Sequence, residues 1–200
     1  MPNPTLIYLH GFRSSPESVK AQIVARAVAA LPAAVRPRLF VPDLAHEPAA
    51  AVDSVAAWIE RELRSPADDL TLVGSSLGGY YATHLAERFG ARAVLINPAV
   101  RPYDDLQRYA GTQTNLYTGE AFEVIEDHFA QLRALAVARI TRPQRYLLLV
   151  RSGDEVLDWS EAVAFYAGAW QYVAGGGDHG WADFSPEVAS VLRFAGCAAA

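Results

Sequence analysis

Ser76 stands at the centre of a Gly-x-Ser-x-Gly pattern, Gly74-Ser75-Ser76-Leu77-Gly78, with Gly79 directly after it. A serine hydroxyl is a usable nucleophile at neutral pH only if a base lies within hydrogen-bond reach and a third group fixes that base's tautomer. Glycines two residues either side of the serine remove side chains that would collide in a tight strand-to-helix turn, so the hydroxyl can stand clear of the sheet. The N–H of Leu77 then opens a helix, where it can donate to a developing oxyanion.

His179 is the expected base. It follows Gly175-Gly176-Gly177-Asp178 after the last strand, on a loop able to carry an imidazole across to the serine. Asp154 follows Gly153 at the end of the fifth strand, with Val156 to seat its loop, and is expected to orient His179. Asp158 is the rival, because such a constellation is recognised by geometry and not by spacing. Asp178 reads as a turn former. His10-Gly11 closes the first strand and is expected to shape a turn beside an oxyanion hole, whose second donor would be the N–H of Phe12. His46, His84 and His128 read as surface or packing residues.

These groups need strand ends to hold them. Short apolar runs predict strands over 5–9, 39–41, 70–73, 93–96, 145–150 and 170–173. A first helix is expected with Ser15 as N-cap and Pro16 at its first position, striped by Ala21, Val24, Ala25, Val28 and Leu31. Further helices are expected over 49–63, 80–89, 160–167 and 184–195. Strands alternating with helices, without hairpin signals, predict an α/β fold, a doubly wound, mainly parallel sheet of about six strands. Such sheets carry reactive groups at the carboxyl ends of their strands, and serine, aspartate, histidine is the chain order expected there. Residues 101–140 break the alternation. They are expected to form a cap insertion with an amphipathic helix over 120–135; an ordinary crossover helix with long flanking loops is the other reading. The 200 residues are otherwise expected to form one domain, 1–200.

Composition removes several function classes. A formal net charge of −5 offers no basic footprint, so no nucleic-acid partner is expected. The single cysteine, Cys197, lies in a small-residue tail and cannot form an internal disulfide, which suits a reducing compartment. Met1-Pro2-Asn3-Pro4 has no signal-peptide character, and no apolar run approaches the ~18 residues of a membrane span, so a cytoplasmic location and no membrane partner are expected. No histidine or cysteine spacing suits a metal, and neither a phosphate-cradling P-loop nor a dinucleotide fingerprint is present, so no metal and no cofactor are expected. Arg13, Lys20 and Arg101 lie near strand ends. They could meet the phosphates of an anionic substrate such as an acyl-CoA; the plainer reading is solvated surface charge.

Five blocks carry a family resemblance: Tyr8-Leu9-His10-Gly11-Phe12 with Ser14-Ser15-Pro16 and Lys20, the elbow Gly74 to Thr83, Asn97-Pro98-Ala99-Val100-Arg101-Pro102, Tyr117-Thr118-Gly119, and Gly153 to Asp158. Together they resemble the YqiA-type esterase family of small bacterial α/β-hydrolases, over nearly the whole chain. The resemblance implies an α/β-hydrolase fold and a cofactor-free serine hydrolase acting on short acyl esters or acyl-CoA thioesters. Ser76 would be its nucleophile, Asp154 its acid and His179 its base. Trp159 and Gly180-Trp181 depart from the family pattern and are expected to alter the pocket. A peptidase or lyase on the same fold, or a non-catalytic binding protein, are the other readings.

Overall fold

Runs of β-branched and large apolar residues with no polar alternation can lie only in strands covered on both faces. In the computed structural model, which describes residues 4–197, the chain follows that rule. It runs β1 (Thr5–Leu9), α1 (Val19–Ala30), β2 (Arg38–Phe40), α2 (Pro48–Glu62), α3 (Pro66–Asp69), β3 (Leu70–Ser75), α4 (Leu77–Phe89) and β4 (Arg92–Ile96). After β4 come α5 (Pro102–Asp105), β5 (Gly111–Thr114), β6 (Ala121–Val124) and α6 (Glu126–Ala134), and the chain closes with β7 (Tyr146–Arg151), α7 (Trp159–Phe165), β8 (Trp170–Ala174) and α8 (Val188–Phe194). Met1–Asn3, expected not to form a leader, and the last three residues of the tail lie outside the described residues.

Six strands form one parallel sheet in the order β2-β1-β3-β4-β7-β8. The chain moves from β1 to β2, then returns past β1 to β3, so right-handed crossovers place α1 on one face and α2 and α4 on the other. Alternate residues of β1 serve the two cores. Leu6 and Tyr8 pack with Val24 and Val28 of α1 and Val191 of α8; Ile7 and Leu9 pack with Val55 and Ile59 of α2 and Leu85 of α4. The reversal of strand order at β1 opens the crevice above β1 and β3 where such sheets bind ligands.

Two sequence expectations need correction. Helix α1 begins at Val19, because Ser15 and Pro16 form a turn in front of it: Ser18 N–H donates to the Ser15 carbonyl and Glu17 N–H to Ser15 Oγ, both at 3.1 Å. The helix expected over 120–135 is divided. Ala121–Val124 pairs antiparallel with Gly111–Thr114, and only Glu126–Ala134 is helical. Phe122 and Val124 alternate with Ala121 and Glu123 at the period of a strand, and Phe122 meets Phe12 edge-on at 5.8 Å. In α6, Phe129 and Leu132 are buried, and Gln131 Oε1 accepts the Ala49 N–H at the start of α2. Among the described residues no helix is long and apolar enough to cross a membrane.

Candidate active site

The turn between β3 and α4 is built by close approach. Ser76 occupies the left-handed region at φ 55, a conformation that costs an L-residue about 1 kcal/mol or more unless its surroundings impose it. They do so through Ser76 N–H donating to Ile96 O, and through Gly79 N–H and Ala99 N–H both donating to Ser76 O. A Cβ on Gly74 would lie 2.2 Å from Gly78 O, and one on Gly78 would lie 2.1 Å from Leu9 O. Backbone cannot yield as a flexible side chain does, so Gly78→Ala is expected to destabilise the fold by about 3 kcal/mol or more, read from the urea midpoint.

Above this turn, Ser76 Oγ lies 3.0 Å from His179 Nε2, and His179 Nδ1 lies 2.7 Å from Asp154 Oδ2. An ionised carboxylate only accepts, so Nδ1 carries the proton, and Nε2 is left to accept from the serine hydroxyl. Asp154 is inaccessible, its side chain 1% exposed. Burial alone would raise its pKa; the His179 hydrogen bond, with N–H donors from Leu157 and Val156 at 2.9 Å, outweighs burial and holds the carboxyl below the usual aspartate range.

The other expected residues fall as follows. Gly11 presses on the elbow so closely that a Cβ there would lie 3.2 Å from Ser76 Cβ, which brings the main chain at Phe12 beside the serine. The N–H groups of Phe12 and Leu77 have no acceptor among the described residues. His10 is buried, with Nδ1 donating to Gly11 O and Nε2 accepting the Leu44 N–H; burial lowers its pKa, so it is a neutral brace for this loop. Asp158 is not brought to His179. It caps α7, accepting from Ser160 N at 2.9 Å and Ser160 Oγ at 2.6 Å. Asp178 accepts the Trp181 N–H within its own turn. His84 bonds the Leu135 carbonyl, and His46 and His128 lie ring to ring at 6.0 Å.

The three basic residues separate. Arg101 pairs with Glu161 across the surface. Arg13 donates from Nε to Thr114 O on the hairpin. Lys20 contradicts the surface reading: it is 9% exposed, with Nζ bonded to the carbonyls of His179 and Gly180. Of Trp159 and Gly180-Trp181, expected to alter the pocket, Gly180 borders a cavity at Ser76 and the two tryptophans do not; Trp181 packs edge-on against Phe184 in the α1 core.

Sequence reasoning missed Asn97. It is buried at the carboxyl end of β4 with φ 41, accepts the Arg151 N–H on Oδ1, and donates from Nδ2 to the carbonyls of His179 at 3.1 Å and Asp178 at 3.4 Å. The available signal was an asparagine at a strand end before Pro98, since asparagine tolerates the left-handed region that the turn demands. Two cavities meet at Ser76 and His179. One, of about 190 Å³, is bordered by apolar side chains including Leu106, Tyr109, Leu116, Val156 and Leu157; the other, of about 330 Å³, runs past Val19, Tyr117 and Ala182.

The architecture is shared with solved structures at low identity. Alpha/beta hydrolase domain-containing protein 10 from mouse is 17% identical, with a TM-score of 0.69 over 95% of this chain and 88% of that one. Est1E from Butyrivibrio proteoclasticus is 14% identical, with a TM-score of 0.67 over 97% and 88%. The esterase domain of a Rhodothermus marinus protein is 18% identical, with a TM-score of 0.67 over 96% and 84%. The fold is therefore that of the α/β-hydrolases. With residues 5–196 matching its profile, the chain belongs to the uncharacterised protein family UPF0227, the family of the YqiA-type proteins that its motifs resemble.

Proposed function

We propose that this protein is a carboxylic ester hydrolase that works through an acyl-enzyme. The observation that carries the reading is the unbroken hydrogen-bonded line from Ser76 Oγ through His179 to buried Asp154, mounted on a strained strand-to-helix turn. Ser76 attacks the ester carbonyl while Nε2 of His179 takes its proton, and Asp154 stabilises the imidazolium that forms. The N–H groups of Leu77 and Phe12 receive the oxyanion. As the tetrahedral adduct collapses, His179 returns the proton to the departing alcohol or thiol. Water then enters, gives a proton to His179, and its oxygen attacks the acyl-enzyme; the acid leaves and Ser76 regains its proton. No cofactor takes part in this scheme.

The size of the two cavities supports the assignment of sides. The smaller, apolar one suits a short acyl chain, and the larger one suits the leaving group, whether the alcohol of an oxyester or the thiol of an acyl-CoA in the cytoplasm. Labelling with a fluorescent fluorophosphonate, alongside p-nitrophenyl esters of increasing length, tests the reading. Labelling of the wild-type protein is expected, with kcat/KM falling steeply between butyrate and octanoate esters. A protein that neither labels nor cleaves any ester would be a binding protein on a hydrolase fold.

A further inference from the structure

Lys20 is the second residue of α1, on the core face of that helix. Removing an ammonium from water costs free energy unless acceptors replace the solvent, so a lysine this deeply buried needs an explanation. Its acceptors are two consecutive main-chain carbonyls, His179 O at 3.1 Å and Gly180 O at 2.9 Å. Burial pushes its pKa down to about 8, while the negative charges of Asp154 and Asp178 act in the opposite sense. The fold thus maintains a costly charge directly behind the residue that bears the imidazole.

The loop it touches is pinned on either side of the imidazole, by Gly176 N–H to Ser152 Oγ and Gly153 N–H to Gly176 O before it and by Trp181 N–H to Asp178 Oδ1 across it, and Lys20 holds the carbonyls between these points. Gly175, Gly176 and Gly177 offer no side chains, and Gly176 and Gly177 sit at φ 66 and 74. Asn97 Nδ2 shares the His179 carbonyl, and the His179 N–H donates to Glu155 at 3.0 Å. Gly180 O has only Lys20 as donor among the described residues. The imidazole must stay within about half an ångström of its productive position for proton transfer to Ser76, which a glycine-rich loop cannot ensure by itself.

We propose that Lys20 is a positioning residue for His179, its ammonium gripping the carbonyls of His179 and Gly180 so that Nε2 remains against Ser76 Oγ and Nδ1 against Asp154. The proposal rests on the hydrolase reading for its kinetic consequence, but not for its geometry. A side chain present only for stability would, when removed, lower the melting temperature and leave kcat per folded molecule alone. A positioning side chain gives the opposite pattern.

The test compares wild type, Lys20→Met and Lys20→Arg by steady-state kinetics on p-nitrophenyl butyrate, by thermal melting, and by the downfield proton resonance of the His179 Nδ1–H bonded to Asp154. Lys20→Met is expected to lose kcat by about a hundredfold with KM nearly unchanged, and to lose or broaden that resonance. Lys20→Arg, which keeps charge and donors, is expected to recover at least about tenfold of the loss. A Lys20→Met protein that keeps both kcat and the resonance overturns the proposal, as does one whose activity falls only with its folded fraction. If the wild type cleaves no ester, the hydrolase reading fails, and the resonance in Lys20→Met and Lys20→Arg still decides whether the clamp exists.

Discussion

Ser76→Ala is expected to lower kcat for a short p-nitrophenyl ester by about a millionfold, because removing the nucleophile disables the histidine and aspartate along with it. The residual rate would come from the oxyanion donors and from substrate binding, which the substitution leaves in place. Stability should change by no more than about 0.5 kcal/mol, since alanine and serine meet the same backbone strain at φ 55 and only the hydroxyl is lost. Fluorophosphonate labelling and circular dichroism on one preparation check both halves. Labelling that persists in Ser76→Ala would move the nucleophile to another residue.

Asp154→Asn is the second large effect, expected to cost about ten-thousandfold in kcat. An amide donates where the carboxylate accepted, so it favours the tautomer with a bare Nδ1, and Nε2 then carries a proton and cannot take one from Ser76. Asp158→Asn should be nearly silent, because asparagine caps a helix as well as aspartate does and the Asp158 side chain serves the first turn of α7, not His179. Kinetics on the two variants side by side separates these roles; the reverse order would place the orienting carboxylate at Asp158. Asp154 also sets a pH dependence of stability. Its folded pKa lies below the unfolded value, so its ionised form contributes stability above the unfolded pKa, and that contribution is lost as pH falls through the folded one. Urea midpoints of wild type and Asp154→Asn measured from neutral to acid pH should therefore draw together.

The strands were legible because burial on both faces leaves a mark in every residue: Leu70 to Val73 and Ala93 to Ile96 can be little else. The elbow was legible because the pattern Gly-x-Ser-x-Gly is local, although only Gly74 is required by a contact within the turn; Gly78 is required by the approach of Leu9 O from β1. Three features were not. Phe122 and Val124 satisfy the helical stripe that continues into Phe129 and Leu132 as well as they satisfy a strand, and only pairing with Gln113 and its neighbours decides between them. Ser15-Pro16 suits a turn as well as a cap, and the choice depends on where the crevice needs the chain. Lys20 carries no local sign of burial, because its partners are carbonyl groups about 160 residues away, and a carbonyl is common to all residue types.

The hairpin of β5 and β6 reaches back to the first loop at three points: Leu116 N–H donates to Arg13 O, Asn115 Nδ2 to Ser14 O, and Arg13 Nε to Thr114 O. The loop it holds includes Phe12, while the hairpin itself belongs to a separate two-stranded sheet. Local unfolding of this small sheet would therefore release the loop that carries Phe12, one of the two proposed oxyanion donors, while the six-stranded sheet stayed hydrogen-bonded. For the proposed hydrolase, inactivation and global unfolding would then be separable events, with activity lost at a lower denaturant concentration than the sheet.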